Sequence, residues 1–218
     1  MPDIFPRSTN TIAKVTVFGS PLVAAFIMWV CLVYTRSSYG TGSGVIRVQP
    51  VPFSHQHHVG DLGIDCRYCH SNVETSGFAN LPTSQTCMNC HSQVKPTSPL
   101  LAVVRESYAT GKPVPWIQVH QLPDYAYFNH SIHIARGVSC VECHGRIDQM
   151  EVVTHVKPLS MGFCLDCHRD PAPHLRPRAE VTNLAWTAPS AEAQLAMGRK
   201  FVHDWNVNPP QTCSGCHR

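Results

Sequence analysis

Five times along its 218 residues the chain repeats one signature: a cysteine, two other residues, a second cysteine and, at once, a histidine. The copies are Cys66, Cys69 and His70; Cys87, Cys90 and His91; Cys140, Cys143 and His144; Cys164, Cys167 and His168; and Cys213, Cys216 and His217. Two thiols at this spacing add across the two vinyl groups on one edge of a haem. The imidazole that follows then lies under the ring, where it binds the iron as proximal ligand. Structural zinc sites also use C-x-x-C, but they take such pairs in twos and have no need of histidine after each. The chain has 14 histidines. At roughly one position in sixteen, five such placements arise by chance about once in a million. The ten cysteines therefore read as thioether donors to five covalently bound haem c groups.

Composition supports a fold built around something other than side chains. Eighteen prolines are scattered through the chain, and charged residues are only 14% of it. Each proline removes a backbone donor and fixes φ, which works against long helices and a large sheet. A mainly helical and irregular, haem-cored domain with short helices and little sheet is expected. Net charge is +3 with no basic run, so nucleic acid is not an expected partner. No catalytic triad, phosphate loop or dinucleotide fingerprint is present. The eleventh cysteine, Cys31, sits in an apolar run and reads as a small hydrophobe.

A six-coordinate haem needs a second axial ligand, His or Met. An internal repeat points to four of them. Phe53, His55 and His58 precede the first motif, and Phe128, His130 and His133 precede the third; a further C-x-x-C-H follows each about twenty residues on. Two histidines three apart on a helical turn share a face, from which each reaches one of two adjacent haems. His55, His58, His130 and His133 are the expected distal ligands. His57 points elsewhere on its turn, and its role and that of His58 are exchangeable at this level. For the fifth iron the candidates are His120, Met150, Met161, His155 and His203.

Residues 15–34 form an uncharged apolar run of bilayer-spanning length, bracketed by Lys14 and Arg36. The run is too long for the h-region of a cleaved signal peptide and no small-residue cleavage site follows. A signal-anchor helix over 1–36 is expected, then a Gly/Ser-rich linker over 37–44 and a pentahaem domain over 45–218. That domain divides into two-haem modules at 45–93 and 120–170, with the fifth haem within 190–218. A short helix over 98–110 ending at Gly111, an extended segment over 113–119, and a helix over about 190–204 capped by Ser190 complete the outline. Haem is attached outside the cytoplasm, so the chain beyond residue 36 is expected on the periplasmic side of a bacterial cytoplasmic membrane. Arg7 and Lys14 are compatible with that orientation.

The Phe-x-His-x-x-His repeat with its C-x-x-C-H motifs is similar to class III cytochromes c. The longer stretches 52–70, 120–133 and 158–169 resemble the pentahaem cytochrome c subunits (ActA) of alternative complex III, over nearly the whole chain. The resemblance implies a single-pass electron-transfer subunit of a quinol:acceptor oxidoreductase, not catalytic alone, in a respiratory or photosynthetic membrane. Its implied neighbours are an iron–sulfur subunit, polytopic quinol-binding subunits and a monohaem cytochrome c. Electrons from menaquinol would pass to a soluble cytochrome c, a copper protein or an oxidase. It also implies mostly bis-His haems with some Met ligation, which raises Met161 and Met150 above His155 and His203 and keeps His120 a candidate. The alternative is a stand-alone quinol dehydrogenase of the NapC/NrfH class. That class places Met two residues past its first motif, where this chain has Asn72. A multihaem enzyme with an open distal position is a third reading, weakened by the absence of C-x-x-C-Lys.

Overall fold

The computed structural model describes Pro6 and residues 8–217, so Arg7 lies outside the described residues. The chain divides into two units, 1–42 and 43–218. The first is dominated by α1 (Thr9–Arg36), 28 residues long with Pro21 inside it. At 1.5 Å per residue such a helix reaches about 42 Å, enough to cross a bilayer, and by length and composition α1 qualifies to do so. Its side chains, Cys31 among them, are exposed. A single helical turn, α2 (Ser38–Thr41), follows, capped by the Ser37 hydroxyl and closed by Gly42 in the left-handed region at φ 70°.

The second unit is short helices joined by irregular chain. Its β-pairing amounts, among the described residues, to three isolated antiparallel bridges: Ile46 with Thr154, Ala126 with His217, and Val138 with Leu175. Every C-x-x-C-H motif lies on a helical turn: α3 (Cys66–Cys69), α4 (Ser84–His91), α7 (Cys140–His144), α8 (Met161–Arg169) and α10 (Cys213–Cys216). The residue before each of these helices is Asp65, Thr83, Ser139, Ser160 or Thr212, all types that start helices by satisfying early N–H groups. Asp65 and Ser160 do so directly, accepting from Arg67 N and Phe163 N. A helical turn is what brings both cysteines of a motif to one face.

Three further helices complete the unit: α5 (Ala102–Thr110), α6 (His130–Ala135) and α9 (Ala191–Asp204). The helix expected over 98–110 is a 3₁₀ turn at Pro99–Leu101 running into α5, which ends on Gly111 at φ 70°. Ser190 caps α9, its hydroxyl accepting from Ala193 N at 3.1 Å. The turn carrying His58 is a π-helix, Gln56–Asp61. A wider turn of this kind is a frequent companion of functional sites.

The protein's own core is small. Buried apolar side chains among the described residues include Val104, Leu175, Val181 and Leu184, and the tightest cluster flanks the third motif. There Val138 bridges to Leu175, the buried Ser139 hydroxyl donates to the Val181 carbonyl at 2.6 Å, and Gln194 of α9 donates to the Leu175 carbonyl. Gly137 sits at φ 79°, where a Cβ would run into the Arg176 carbonyl and the Trp205 ring. So short a roll of buried side chains leaves room in this unit for groups other than side chains.

Candidate haem centre

The histidines pair. His58 faces His91 with ring centres 6.2 Å apart, His130 faces His144 at 6.4 Å, and His133 faces His168 at 6.2 Å. Each pair joins a motif histidine to one from a Phe-x-His-x-x-His turn. An iron held between two imidazoles, at about 2.0 Å to each nitrogen and about 1.15 Å from nitrogen to ring centre, separates the centres by about 6.3 Å. The rings thus stand at the separation an axially ligated haem iron requires. His55 completes the set beside His70: burial, with His70 and His58 nearby, lowers its pKa to about 4. That keeps the imidazole neutral with a nitrogen lone pair to offer.

The other ring nitrogen is also in order. A ligating histidine normally donates its second N–H to a carbonyl or carboxylate, which sets the tautomer and ring angle. His70 Nδ1 donates to Asn80 O at 2.7 Å, His91 Nδ1 to Val94 O at 2.9 Å and His168 Nδ1 to Pro210 O at 2.7 Å. His217 Nδ1 donates to Tyr125 O at 3.1 Å. On the distal side His58 Nδ1 donates to Ser54 O, His133 Nδ1 to Asn129 O and His130 Nδ1 to Gly77 O, all at 2.7–2.8 Å. In every case Nε2 is the nitrogen left for a metal. His57 behaves differently: exposed, it turns its Nδ1 to Asp61 at 3.4 Å.

The repeat is reproduced in three dimensions. Phe53 stacks on His58 at 4.4 Å and meets His55 edge-on at 4.8 Å; Phe128 lies against His133 at 4.5 Å and meets His130 edge-on at 4.7 Å. One phenyl ring therefore wedges between two distal histidines in each copy. The sequence displays both phenylalanines, but only the packing reveals that they orient the imidazoles. The carbonyl partners Asn80, Gly77, Pro210 and Tyr125 had no sequence signal at all, because every residue carries a carbonyl.

The third motif is the most enclosed. Burial, then the neighbouring His120 and His130, lowers the His144 pKa to about 3. Its Nδ1 is buried without a hydrogen-bond partner, as are Nδ1 of His55 and Nε2 of His120 and His155. His120 lies 4.3 Å from His144 and 5.3 Å from His155, too close to either for an iron between them. His120 therefore packs against the His144 ring at contact distance, while His130 stands from it at the longer separation. Met150 is near the same place, its methyl 3.6 Å from where a side chain on Gly145 would begin. Among the described residues the ring contact of His217 is with Tyr125 at 5.7 Å, and no second imidazole pairs with it. Met161 is 65% exposed at the start of α8, and His203 is exposed beside Asp204.

Burial sets the thiol electrostatics. It pushes the Cys143 thiol up to about 12, with Cys164 and Cys167 adding to the shift. Burial pushes Cys140 up to about 11, Cys66 adding to it. Cys69 is raised by burial and by Cys87, and Cys164 by burial and by Cys216.

The chain is 41% identical over 97 residues to the protein named menaquinone reductase, multiheme cytochrome c subunit, of Nitratidesulfovibrio vulgaris. The match takes in 44% of this chain and 45% of that protein, so the chain spans less than half the length of this curated relative. The sequence profile of the family described as cytochrome c7 and related cytochrome c matches residues 51–107 and 126–218, which include all five motifs. Membership of that family carries covalently bound haem c, and the cysteine pairs and paired imidazoles fit it. With well over half its length matched, the chain belongs to the cytochrome c7 and related cytochrome c family.

Proposed function

We propose that this chain is a membrane-anchored pentahaem cytochrome c that carries electrons for a quinone-linked complex of the alternative complex III type. The carrying observation is the spacing of the paired imidazoles, 6.2–6.4 Å in three pairs. Imidazoles paired at this spacing would leave an iron no open position for a substrate, and haem held there would supply reversible one-electron chemistry. The ten motif cysteines would hold the five macrocycles; His70, His91, His144, His168 and His217 would ligate from one side, and His55, His58, His130 and His133 from the other.

For the fifth iron we assign Met161. It lies one turn before Cys164, on the helix whose His168 donates to Pro210 O beside the fifth motif, and it is free of the crowding that engages His120 and Met150 at His144. Met161→Ala should leave five haems by mass but convert one from low to high spin, detected by electron paramagnetic resonance. An unchanged spectrum would remove Met161 from the ligand set.

In this reading α1 holds the subunit in a bacterial cytoplasmic membrane with residues 43–218 on the periplasmic side. Partners are an iron–sulfur subunit, polytopic quinol-binding subunits and a monohaem cytochrome c, with electrons passing from menaquinol to a periplasmic cytochrome c or copper protein. The name of the Nitratidesulfovibrio vulgaris relative supports a second direction, towards menaquinone. The same haems serve either direction, since potentials at the two ends set the flow. The test is mass spectrometry of what co-purifies from native membranes in mild detergent. Recovery with iron–sulfur and polytopic subunits supports the proposal. Recovery alone, still reduced by menaquinol analogues, would make it a self-contained quinol dehydrogenase instead.

A further inference from the structure

We infer that the five attachment motifs stand in single file in the order second, first, third, fourth, fifth, so that Cys87–His91 and Cys213–His217 are the two ends. The inference rests on the pentahaem reading above and concerns only how this chain arranges its own ligands. Numerical order along the sequence would put the second motif against the third; the structure puts the first there.

The second and first motifs touch directly. Asn89, between Cys87 and Cys90, donates to the hydroxyl of Tyr68, between Cys66 and Cys69, at 3.1 Å. His58 faces His91, and His55 on the same turn meets edge-on the Phe53 ring that stacks on His58. The first and third motifs meet through the segments that flank them. Gln56 N donates to Met150 O at 3.0 Å, and Gly60 packs so closely that a Cβ there would lie 2.6 Å from the Asp148 carbonyl. Gln56 and Gly60 belong to the turn that supplies the first module's distal ligands; Asp148 and Met150 follow His144 by a few residues. The second motif's own side-chain hydrogen bonds run to Tyr68, to Gln85 one turn before Asn89, and to local carbonyls at Thr83 and Val94. None among the described residues reaches the third motif.

The third and fourth motifs share α6, whose His130 and His133 face His144 and His168. Glu142, inside the third motif, also bonds His174, just beyond the fourth, at 2.9 Å. The fourth and fifth meet where His168 donates to Pro210 O and Gln211 donates to His168 O at 3.3 Å, two residues before Cys213.

The test is proton magnetic resonance on the intact, haem-loaded, fully reduced chain in detergent, where six-coordinate ferrous haems are diamagnetic. Each haem is assigned through cross-peaks to its own cysteines and histidine. Inter-haem cross-peaks are expected for the pairs two–one, one–three, three–four and four–five. A two–three contact in place of one–three would overturn the order while leaving the electron-transfer reading intact. Fewer than five haems by mass would overturn both. A second measurement is spectroelectrochemical: the double substitution Cys87→Ala and Cys90→Ala, removing an end, should shift the midpoint of one remaining haem. Removing the interior haem with Cys140→Ala and Cys143→Ala should shift two. The same number of shifted midpoints in both variants would count against single file. If either variant fails to load four haems, the cross-peaks of the unsubstituted chain still decide the order.

Discussion

Two phenylalanines hold four imidazoles, and that makes Phe53 and Phe128 positioning residues whose effect is read in spectra. Aromatic contacts of this geometry contribute about 0.5–1.5 kcal/mol beyond buried area. Phe128→Leu should lower stability by about that much and alter the g-values of two low-spin ferric haems, those facing His130 and His133. Phe128→Tyr should restore both. If the leucine variant melts lower but keeps its electron paramagnetic resonance spectrum, the ring is packing and nothing more. A second residue-scale device is the cluster in which Glu142 accepts from His174 at 2.9 Å and lies 3.6 Å from Arg176. The hydrogen bond to Glu142 outweighs burial and raises the His174 pKa above its ordinary 6.5. A raised folded pKa means the contribution is complete below the unfolded value and is lost as pH rises through the folded one. The stability difference between the native protein and His174→Gln should thus be larger at pH 6 than at pH 8.5 in denaturant titrations. A difference independent of pH would rule out this pairing as the cause.

Among elements, α9 shows how the protein-only part of the fold is built. It packs on the turn Ala172–His174 through Gly198, where an added methyl would collide with the Ala172 carbonyl. Gly198→Ala should therefore destabilise the haem-loaded protein by about 1–3 kcal/mol, despite alanine's better helix propensity, because the backbone must move. A rise in melting temperature would show that the two segments separate freely. Elements of this sort were legible in the sequence where capping chemistry marks them: Ser190 starts α9, and Gly111 ends α5. The helical turns at the motifs were not placed in advance, although C-x-x-C on such a turn brings both thiols to one side. The π-turn at Gln56–Asp61 was not, since nothing in residue type separates it from the α-turn of its counterpart at His130. The carbonyls that orient seven imidazoles were equally hidden.

At the scale of the whole molecule, the sequence carried the number and identity of the attachment points but not their order, because order depends on long-range contacts such as Gln56 with Met150. The small core beside the third motif leads to a direct expectation. Chain made without the haem attachment machinery should show no cooperative thermal transition by calorimetry, because little apolar area remains to offset conformational entropy. A sharp transition in haem-free protein would show that the side chains suffice. The Gly77 carbonyl, in the first copy of the repeat, receives both the backbone N–H and the Nδ1–H of His130, in the second. The second copy is therefore not self-sufficient: severed from the first, it would lose the acceptor that fixes the angle of its own imidazole.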